Sequence, residues 1–483
     1  MQRTRLTFVL FITLTTVFAQ DHHYWYQQVG AHSSLMGGAV IAGVKDHSAL
    51  FYNPARFFYV DSNILSIGAD LYKMEKADIL NGGGAGYDLR SLNFDTYPQL
   101  LSGEVPLKKH PNLKLGFIVL MRNNSYTSFN ATNDAVQKGI YTSMPDSFAD
   151  YIGSYKHVNK ILEEWAGGGF SYKLSDVVTV GVTEFICYRF QKFSNVITAK
   201  ATPDTPFDTL MYVQTSVDQS YVRNETIRSV TKLGLALDFK RIKIGLCLTT
   251  SSLHLYGNGD VEREYSINNL NYTVNGPDYT SFIATDAQYG VKGIYKSPWS
   301  VSGGFQFNWK GGLVELAGEY FAPMQEYQIV QNVPKPFLRP ANYYYYDSED
   351  VKYFMFAGIP SKQVFNVAIA VEQALSQKLT LHASFRTDFN LFDSTRYKYV
   401  GIPLVSGNWD LYHFAGGVTY KKPKNDYNFG LDYSFARTGK IYQYVNLNQP
   451  KDYNYLLGDY GLKEANAVVN NFILIVGYTH YFK

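Results

Sequence analysis

Residues 298–309 read PWSVSGGFQFNW, and this stretch decides the fold class. Its apolar side chains occupy alternate positions, and the positions between them carry Ser, Gly, Gln and Asn. A period of two is typical of a β-strand that has one apolar and one polar face. Strands of soluble β-sandwiches usually have only about five or six residues, whereas roughly ten residues cross a lipid bilayer. The predicted outward set is Trp299, Val301, Phe305, Phe307 and Trp309.

The same alternation recurs in residues 379–391, 427–436 and 472–482. In 379–391 the apolar set runs as far as Phe389 and Leu391, and both are predicted to face outward. Six short turns and seven long loops alternate along the chain and give fourteen strands, an even number as expected for a bacterial outer-membrane barrel. The sequence therefore predicts an all-β fold, a transmembrane antiparallel β-barrel. The long loops are predicted near residues 77–94, 130–162, 194–227, 258–296, 328–363, 393–408 and 445–466.

The composition excludes several other classes of protein. Aromatic residues make up 16% of the chain and charged residues only 18%, the reverse of a disordered chain. The net charge of +3 leaves no basic excess for binding nucleic acid. Two cysteines are too few for a disulfide scaffold or a zinc cluster. No nucleophile elbow, P-loop or zinc-protease motif is present, so neither an enzyme nor a cofactor is predicted.

The N-terminus carries a targeting signal. Residues 1–19 combine basic Arg3 and Arg5, an apolar run and a small-residue cleavage site ending at Ala19, which predicts a secretory signal peptide. No later stretch reaches the ~18 apolar residues of a spanning helix. An exported chain of this kind is either soluble outside or spans as a closed barrel, and the long alternating strands favour the barrel, in the outer membrane of a Gram-negative cell.

Residues 20–60 do not show the strand pattern. They are rich in Gly and Ala and precede the first predicted strand. Because a barrel of fourteen strands is too wide to fill with its own side chains, we expect this segment to plug the lumen as a hatch, with residues 61–483 forming the barrel. The adjacent His22 and His23 point to opposite sides of an extended chain, so no metal site is predicted there.

Three short elements of this segment resemble the N-terminal hatch of the FadL-type outer-membrane transporters of hydrophobic compounds. They are Met36–Ala39, Ala42–Ala49 and Phe51–Ala55. The resemblance implies a hatch motif formed by Asp46, Ser48, Asn53, Pro54 and Ala55. Arg56 stands where the family usually has Gly.

The resemblance also implies a hydrophobic ligand, such as a long-chain fatty acid, held inside the barrel near the extreme N-terminus. Candidate ligand-binding residues are therefore Tyr24 and Trp25 of that terminus. Ile118 and Leu120 are predicted to line the lumen with apolar groups, and Arg386 is a candidate partner for a carboxylate. Alternatively, such inward charges pair with each other or with the hatch.

Two further features have two interpretations each. Gly167, Gly168 and Gly169 lie within the fourth predicted strand, where they permit a kink or bulge. The resemblance implies a lateral opening made by a kink in the third strand, which these glycines would border; alternatively, they allow the hatch to pack tightly against the wall. The aromatic residues of 343–346 and 353–356 either capture ligand at the surface or pack within the loops and the interfacial girdle.

Two functions from different classes remain. The first is passive uptake of a hydrophobic small molecule, with rearrangement of the hatch, by a monomer whose partners are the ligand and the bilayer. The second is a docking or secretion role in which a FadL-like barrel binds another protein. The sequence leaves the existence of such a protein partner open.

Overall fold

The computed structural model describes residues 23–61, 64–107, 109–142, 144–204, 213–271, 279–339, 353–358, 360–393, 401–402, 404, 409–459 and 463–482. The predicted signal peptide and the tyrosine run at 343–346 lie outside these residues. The side chains of residues 64–71, 97, 99, 271 and 279–280 are also outside the description.

Seventeen strands belong to one antiparallel sheet in the described part of the chain. The first seven are β1 (Ile64–Leu80), β2 (Leu89–Val105), β3 (Leu113–Lys138), β4 (Phe148–Lys173), β5 (Val178–Pro203), β6 (Gln214–Asp238) and β7 (Ile242–Thr249). The others are β8 (Leu253–Asn271), β9 (Tyr279–Val291), β10 (Ser300–Trp309), β11 (Gly312–Phe321), β12 (Leu338–Arg339), β13 (Val364–Ala374), β14 (Leu379–Asp388), β15 (Leu411–Lys422), β16 (Asn425–Ile441) and β17 (Ala465–Tyr481).

Fourteen of these described strands form a closed ring. Each of β1 to β6 pairs with the strand that follows it. Strand β7 pairs with β10, β10 with β11, and β11 with β13. The ring continues to β17, which pairs back with β1. The prediction of a fourteen-stranded barrel is confirmed. The three remaining strands extend the sheet outward from the upper half of β6, through β8 to β9 and β12.

The inward and outward faces follow the sequence pattern. In β10, Phe305 is 41% exposed whereas Gln306 is 1% exposed. Phe389 and Leu391 are exceptions to the prediction. Strand β14 ends at Asp388, so the alternation no longer sets their direction. Leu391 is buried in an apolar cluster, and Phe389 packs against the same cluster.

The predicted long loops are partly wrong because several strands continue beyond the bilayer. Strands β3, β4 and β5 each have 26 residues, which corresponds to roughly 85 Å of extended chain. The apolar band of an outer-membrane barrel is only about 25 Å tall. The loop expected at 130–162 is reduced to residues 139–147, since both flanking strands stay paired there. Polar residues on both faces of the projecting parts hid their strand character.

Exposed apolar side chains cover the outer faces of the ring strands. Examples on different sides of the ring are Phe117, Ile186, Leu316 and Phe429, each at least 45% exposed. A closed sheet with a polar interior and an apolar exterior satisfies all its backbone groups in lipid, so the fold is that of a transmembrane β-barrel. None of the helices in the described residues is long and apolar enough to cross a membrane.

The N-terminal segment (residues 23–60) contains α1 (Ala31–Leu35), α2 (Ala49–Tyr52) and a 3₁₀-helix (Pro54–Tyr59). A second 3₁₀-helix, Asp452–Asn454, lies between β16 and β17. The N-terminal segment is almost entirely buried. Its helices contact the inner faces of strands on opposite sides of the ring, from β3 to β6 and from β14 to β17.

Candidate functional site

The Asn-Pro-Ala motif is fixed against two strands of the barrel wall. Asn53 Oδ1 accepts a hydrogen bond from the Ala55 N–H at 3.2 Å, and Pro54 is the first residue of the 3₁₀-helix. Asn53 Nδ2 donates to the carbonyl of Ile41 at 2.9 Å and to the carbonyl of Leu235 on β6 at 3.1 Å. The Asn53 side chain therefore caps the N-terminus of the 3₁₀-helix and also links this helix to β6 by a hydrogen bond.

Two glycines of the wall make room for this motif. Gly181 on β5 and Gly234 on β6 are cross-strand neighbours. A Cβ atom at Gly234 would lie 2.3 Å from Asn53 Oδ1, and one at Gly181 would lie 2.4 Å from the Pro54 carbonyl carbon. Any larger residue at either position would push the motif away, because such contacts are far below van der Waals distance.

The other motif residues have local roles. Asp46 Oδ1 accepts from the Ser48 N–H at 2.9 Å, which closes an Asx-turn before α2. The Ser48 hydroxyl lies 3.0 Å from that of Ser33. Arg56, in place of the family's usual Gly, is 1% exposed and forms an ion pair with Asp238 on β6. Arg56 therefore adds an ion pair between the N-terminal segment and the barrel wall.

The start of the segment is anchored at the opposite wall. The Trp25 backbone N–H donates to Asp388 Oδ1 at 3.0 Å, and the Trp25 indole N–H donates to Glu319 Oε2 at 2.8 Å. His23 Nδ1 lies 3.3 Å from Asp388. The N-terminus is thus held by carboxylates of β11 and β14.

Arg386 belongs to this anchor and does not line the main cavity. Its guanidinium lies 2.8 Å from Asp432 Oδ2 and 2.7 Å from His413 Nδ1. It also donates to the carbonyls of Trp25 and Tyr26, both at 3.2 Å. Two roles were open for Arg386 from the sequence: contact with a ligand carboxylate, or pairing with other inward charges or with the hatch. The observed contacts agree with the second role.

The main cavity, named for its position beside the N-terminal aromatic residues and not for its size, has a volume of about 110 Å³ and lies between the N-terminal segment and the wall from β3 to β11. Aromatic rings form much of its surface. Tyr24 stacks on Phe321 with 4.0 Å between ring centroids, and Phe51 meets Trp165 edge-on at 5.8 Å. The aromatic lining residues are Tyr24, Trp25, Tyr26, Phe51, Tyr52, Trp165, Tyr295 and Phe321.

Charged groups face the same cavity, with more cations than carboxylates. Glu163 pairs with Arg228 and lies 3.9 Å from Arg189. Both guanidinium groups lie over the Tyr295 ring, at 4.0 Å for Arg189 and 4.8 Å for Arg228. Arg228 is 1% exposed, yet its Nε and Nη1 atoms have no hydrogen-bond partner among the described residues.

Lys232 adds a further positive charge beside the aromatic wall. Its Nζ lies 4.6 Å from the centroid of the Phe51 ring. No ion pair of Lys232 is found within the described ranges, and its side chain is largely buried. A buried cation that faces a cavity favours an anionic or electron-rich ligand group.

The predicted apolar residues of the lumen are inward but do not line this cavity. Ile118 and Leu120 on β3 are buried in the apolar cluster with Phe57 and Leu100. The residues missed from sequence are Glu163, Arg189 and Arg228. Their inward phase on β4, β5 and β6 could have indicated them, but only the register between these strands shows that they converge.

The three glycines do not interrupt their strand. β4 pairs with β3 and with β5 through Gly167, Gly168 and Gly169 without a shift of register. A Cβ at Gly169 would lie 3.0 Å from the Leu50 side chain, so this glycine allows the N-terminal segment to pack closely. The described strand has no kink or bulge at these glycines.

A gap in pairing lies on the other side of β3. Strands β2 and β3 pair only from Leu100 and Leu120 down to Val105 and Leu115. Above Leu100 the described residues of these strands have no backbone ladder between them. Pro98, which has no N–H to donate, lies just above the last pair.

Side chains bridge this gap. Asn124 donates to Asp95, and the Ser128 N–H donates to Ser91 Oγ at 3.1 Å. A smaller cavity of about 40 Å³ lies against the gap and shares His23, Tyr26 and Asn123 with the main cavity, among its lining residues.

In the aromatic stretch 353–356, the side chains of Phe354 and Met355 pack against other loop residues. Phe354 stacks on Phe337 with centroids 4.0 Å apart, and Met355 is 2% exposed. In a neighbouring loop, the Lys296 N–H donates to the Tyr327 hydroxyl at 2.8 Å. Burial raises the pKa of Tyr327 above its ordinary range, so this phenol stays neutral.

Three solved structures with this fold are a toluene transporter, a FadL homologue and a hydrocarbon channel by their titles. The Pseudomonas putida toluene transporter TodX has a TM-score of 0.55 at 13% identity and covers 97% of this chain and 100% of its own. A Pseudomonas aeruginosa FadL homologue has a TM-score of 0.51 at 13% identity, with coverages of 95% and 100%. The monoaromatic hydrocarbon channel CymD has a TM-score of 0.50 at 10% identity, with coverages of 94% and 97%.

The chain therefore has the fold of the FadL-type barrels over nearly its whole length. At such low sequence identity the similarity concerns the fold. No protein-family model matches the sequence, and no curated protein matches it.

Proposed function

We propose that this protein is an outer-membrane channel for the passive uptake of small hydrophobic molecules, with the N-terminal segment as its hatch. The observation that carries the proposal is the aromatic cavity between that segment and the barrel wall. Transfer of an apolar ligand into such a site is favourable by about 25 cal/mol per Å² of buried surface. The ring closes within one chain, so we propose a monomer that acts without chemistry on its ligand.

The size of the cavity favours a ligand with a single ring. Its volume of about 110 Å³ is comparable to the ~150 Å³ of an engineered protein cavity that binds benzene. A long-chain fatty acid would require the N-terminal segment to move, since its tail is far longer than this space. We therefore propose a monoaromatic compound as the first ligand class and a fatty acid as the second.

The charge around the cavity favours a ligand that carries an anionic group. The single carboxylate of Glu163 is shared by two cations, Arg189 and Arg228, and Glu319 accepts from Trp25. Lys232 adds a further positive charge beside the Phe51 ring, so the cavity carries an excess of positive charge. An aromatic carboxylate such as benzoate would meet both the rings and the cations. An uncharged ring such as toluene would meet the rings alone.

The proposed exit is the gap between β2 and β3. The smaller cavity connects the region of His23 and Tyr26 with the gap, and the strands there are joined by side chains only. Opening this gap breaks fewer hydrogen bonds than separating any fully paired strands of the ring. The ligand would then leave sideways into the lipid after the N-terminal segment moves, because His23 and Tyr26 of that segment line the smaller cavity.

A second candidate role is docking of another protein at the cell surface. The observation that favours it is the projection of β3 to β6 beyond the bilayer, extended by β8 and β9. These strands present a broad sheet above the membrane. This role predicts that blocking the main cavity has no consequence.

The test is to fill the cavity without disturbing the outer wall. Val230 lines the cavity from β6, while Leu233 on the same strand is 41% exposed to lipid. We expect Val230→Trp to lower uptake of radiolabelled toluene and benzoate by intact cells at least tenfold, and Leu233→Trp to leave it unchanged. Equal uptake by the two variants, at equal amounts of folded barrel, would refute the transport role and favour docking.

A further inference from the structure

Two histidines and a glutamate meet below the N-terminal segment, near the short turn between β13 and β14. His32 lies in α1, Glu372 in β13 and His382 in β14. His32 Nε2 is 2.9 Å from Glu372 Oε2, and His382 Nδ1 is 3.8 Å from the same oxygen. One ligand atom from each residue lies within 4.8 Å of the other two. Two imidazoles and a carboxylate form a ligand set that binds Zn²⁺ in proteins.

The His382 ring is oriented with its free nitrogen toward the glutamate. Its Nε2 atom is 2.8 Å from Thr419 Oγ1, and that hydroxyl donates to Asn428 Oδ1 at 2.6 Å. Because a hydroxyl has one hydrogen, the Thr419 oxygen accepts from Nε2–H. The lone pair of neutral His382 is then at Nδ1, which has no hydrogen-bond partner among the described residues although His382 is 5% exposed. Such outer partners orient metal-binding histidines.

The cluster has room for a metal ion and a solvent ligand. Tetrahedral Zn²⁺ with bonds of about 2.0–2.1 Å places its ligand atoms roughly 3.3 Å apart, and the two measured separations from Glu372 lie on either side of that value. All three residues line a polar cavity of about 290 Å³. Three protein ligands and a water molecule complete the coordination of many zinc sites.

We propose that His32, Glu372 and His382 bind a divalent transition metal ion, Zn²⁺ foremost, which joins the N-terminal segment to the barrel wall. One ligand comes from the segment and two come from the wall, so the ion cross-links them. The site is separate from the aromatic cavity, and its existence does not depend on the transport role.

The ammonium group of Lys45 competes with the metal ion for the Glu372 carboxylate. Its Nζ atom lies 2.6 Å and 2.8 Å from the two oxygens of Glu372. The Lys45 side chain is 44% exposed, so it can turn into solvent when the ion binds. If the cluster is a metal site, removal of this ammonium group strengthens binding. If the cluster is only an ion-pair network, the same change has no effect on a metal ion.

The experiment uses the purified full-length protein in detergent micelles, after treatment with a chelator. Zn²⁺ is titrated by calorimetry, and Co²⁺ is titrated by its visible absorption. We expect one ion per chain and a loss of affinity of at least tenfold in His32→Ala, His382→Ala and Glu372→Gln. His254→Ala on β8, outside the cluster, is the matched control and should bind as the unmodified protein does. Lys45→Met should bind Zn²⁺ several-fold more tightly.

Several outcomes would overturn the proposal. They are the absence of Zn²⁺ binding to the unmodified protein, an equal loss of affinity in His254→Ala and His382→Ala, and an unchanged affinity in Lys45→Met. Folding of each variant is checked by circular dichroism. Where a histidine variant fails to fold, Lys45→Met decides the question, because it keeps all three ligands.

Discussion

Arg386 on β14 and Asp432 on β16 form an ion pair of 2.8 Å inside the barrel, and both side chains are almost completely buried. The same guanidinium binds the backbone carbonyls of Trp25 and Tyr26. The pair therefore fixes the start of the N-terminal segment, and through it the aromatic residues that line the main cavity.

Removal of this arginine should destabilise the anchor. Arg386→Gln leaves Asp432 buried beside His413 without its guanidinium partner, and breaking a buried ion pair costs about 3–5 kcal/mol. We expect the free energy of unfolding in urea to fall by this order and the N-terminal segment to become sensitive to protease. Arg437→Gln, an exposed position on β16, is the control and should change neither. Equal protease resistance of the two variants would contradict the role of Arg386 in anchoring the N-terminal segment.

Lys232 should distinguish anionic from uncharged ligands. In Lys232→Met the apolar stem of the side chain is kept and the charge over the Phe51 ring is lost. We expect the affinity for benzoate to fall about tenfold, equivalent to 1.4 kcal/mol, while the affinity for toluene is unchanged or higher. Binding to purified protein is measured by calorimetry, with Lys240→Met in the turn after β6 as control. An equal loss for both ligands would show that Lys232 acts through the structure of the cavity and not through its charge.

The gap between β2 and β3 can be closed covalently. The side chains of Asp95 and Asn124 meet across it in a hydrogen bond, so cysteines at both positions are the pair to test, with formation of the disulfide verified by mass. We expect Asp95→Cys combined with Asn124→Cys to abolish uptake under oxidising conditions while benzoate binding to the cavity persists. Reduction should restore uptake, and each single variant serves as control. Uptake that is indifferent to oxidation, with the disulfide verified by mass, would exclude this exit.

Period-two alternation predicted the closed sheet and its faces because the pattern is local. Each strand of a membrane barrel must present one apolar face, and residues 298–309 show this without knowledge of any neighbour. The alternation did not predict the parts of strands that lie beyond the bilayer, because lipid no longer requires an apolar outer face there. The buried inner face of these parts mixes apolar and polar residues, such as Tyr155 and His157 on β4. The polarity of the upper parts of β3 to β6 therefore alternates only weakly.

Contacts inside the lumen were mostly beyond prediction from the sequence. His32 and Glu372 are 340 residues apart, and the distance between them is set by how the N-terminal segment lies against β13. For Arg386 the sequence indicated the inward direction but not its partners. One signal was overlooked. Pro98 within a predicted strand indicates an interrupted ladder, and the gap between β2 and β3 begins next to it.

A reversible lock between the N-terminal segment and the wall tests directly whether this segment is a hatch that moves during uptake. A Cβ atom at Gly304 on β10 would lie 2.8 Å from the Ile41 Cβ and 2.7 Å from the Ala42 backbone nitrogen. The segment must therefore shift by roughly 1 Å to reach the Cβ separation of a disulfide, and Gly304→Ala is the control for that shift. The variant combines Ile41→Cys with Gly304→Cys, in a background in which the buried free thiols Cys187 and Cys247 are replaced by alanine.

Uptake of radiolabelled toluene and benzoate by cells is measured before and after reduction. We expect uptake to be low in the oxidised state and to rise at least tenfold on reduction, because the segment must move for the ligand to pass. The same high uptake in both states, with the disulfide confirmed in the oxidised sample, would show that the N-terminal segment is not a hatch.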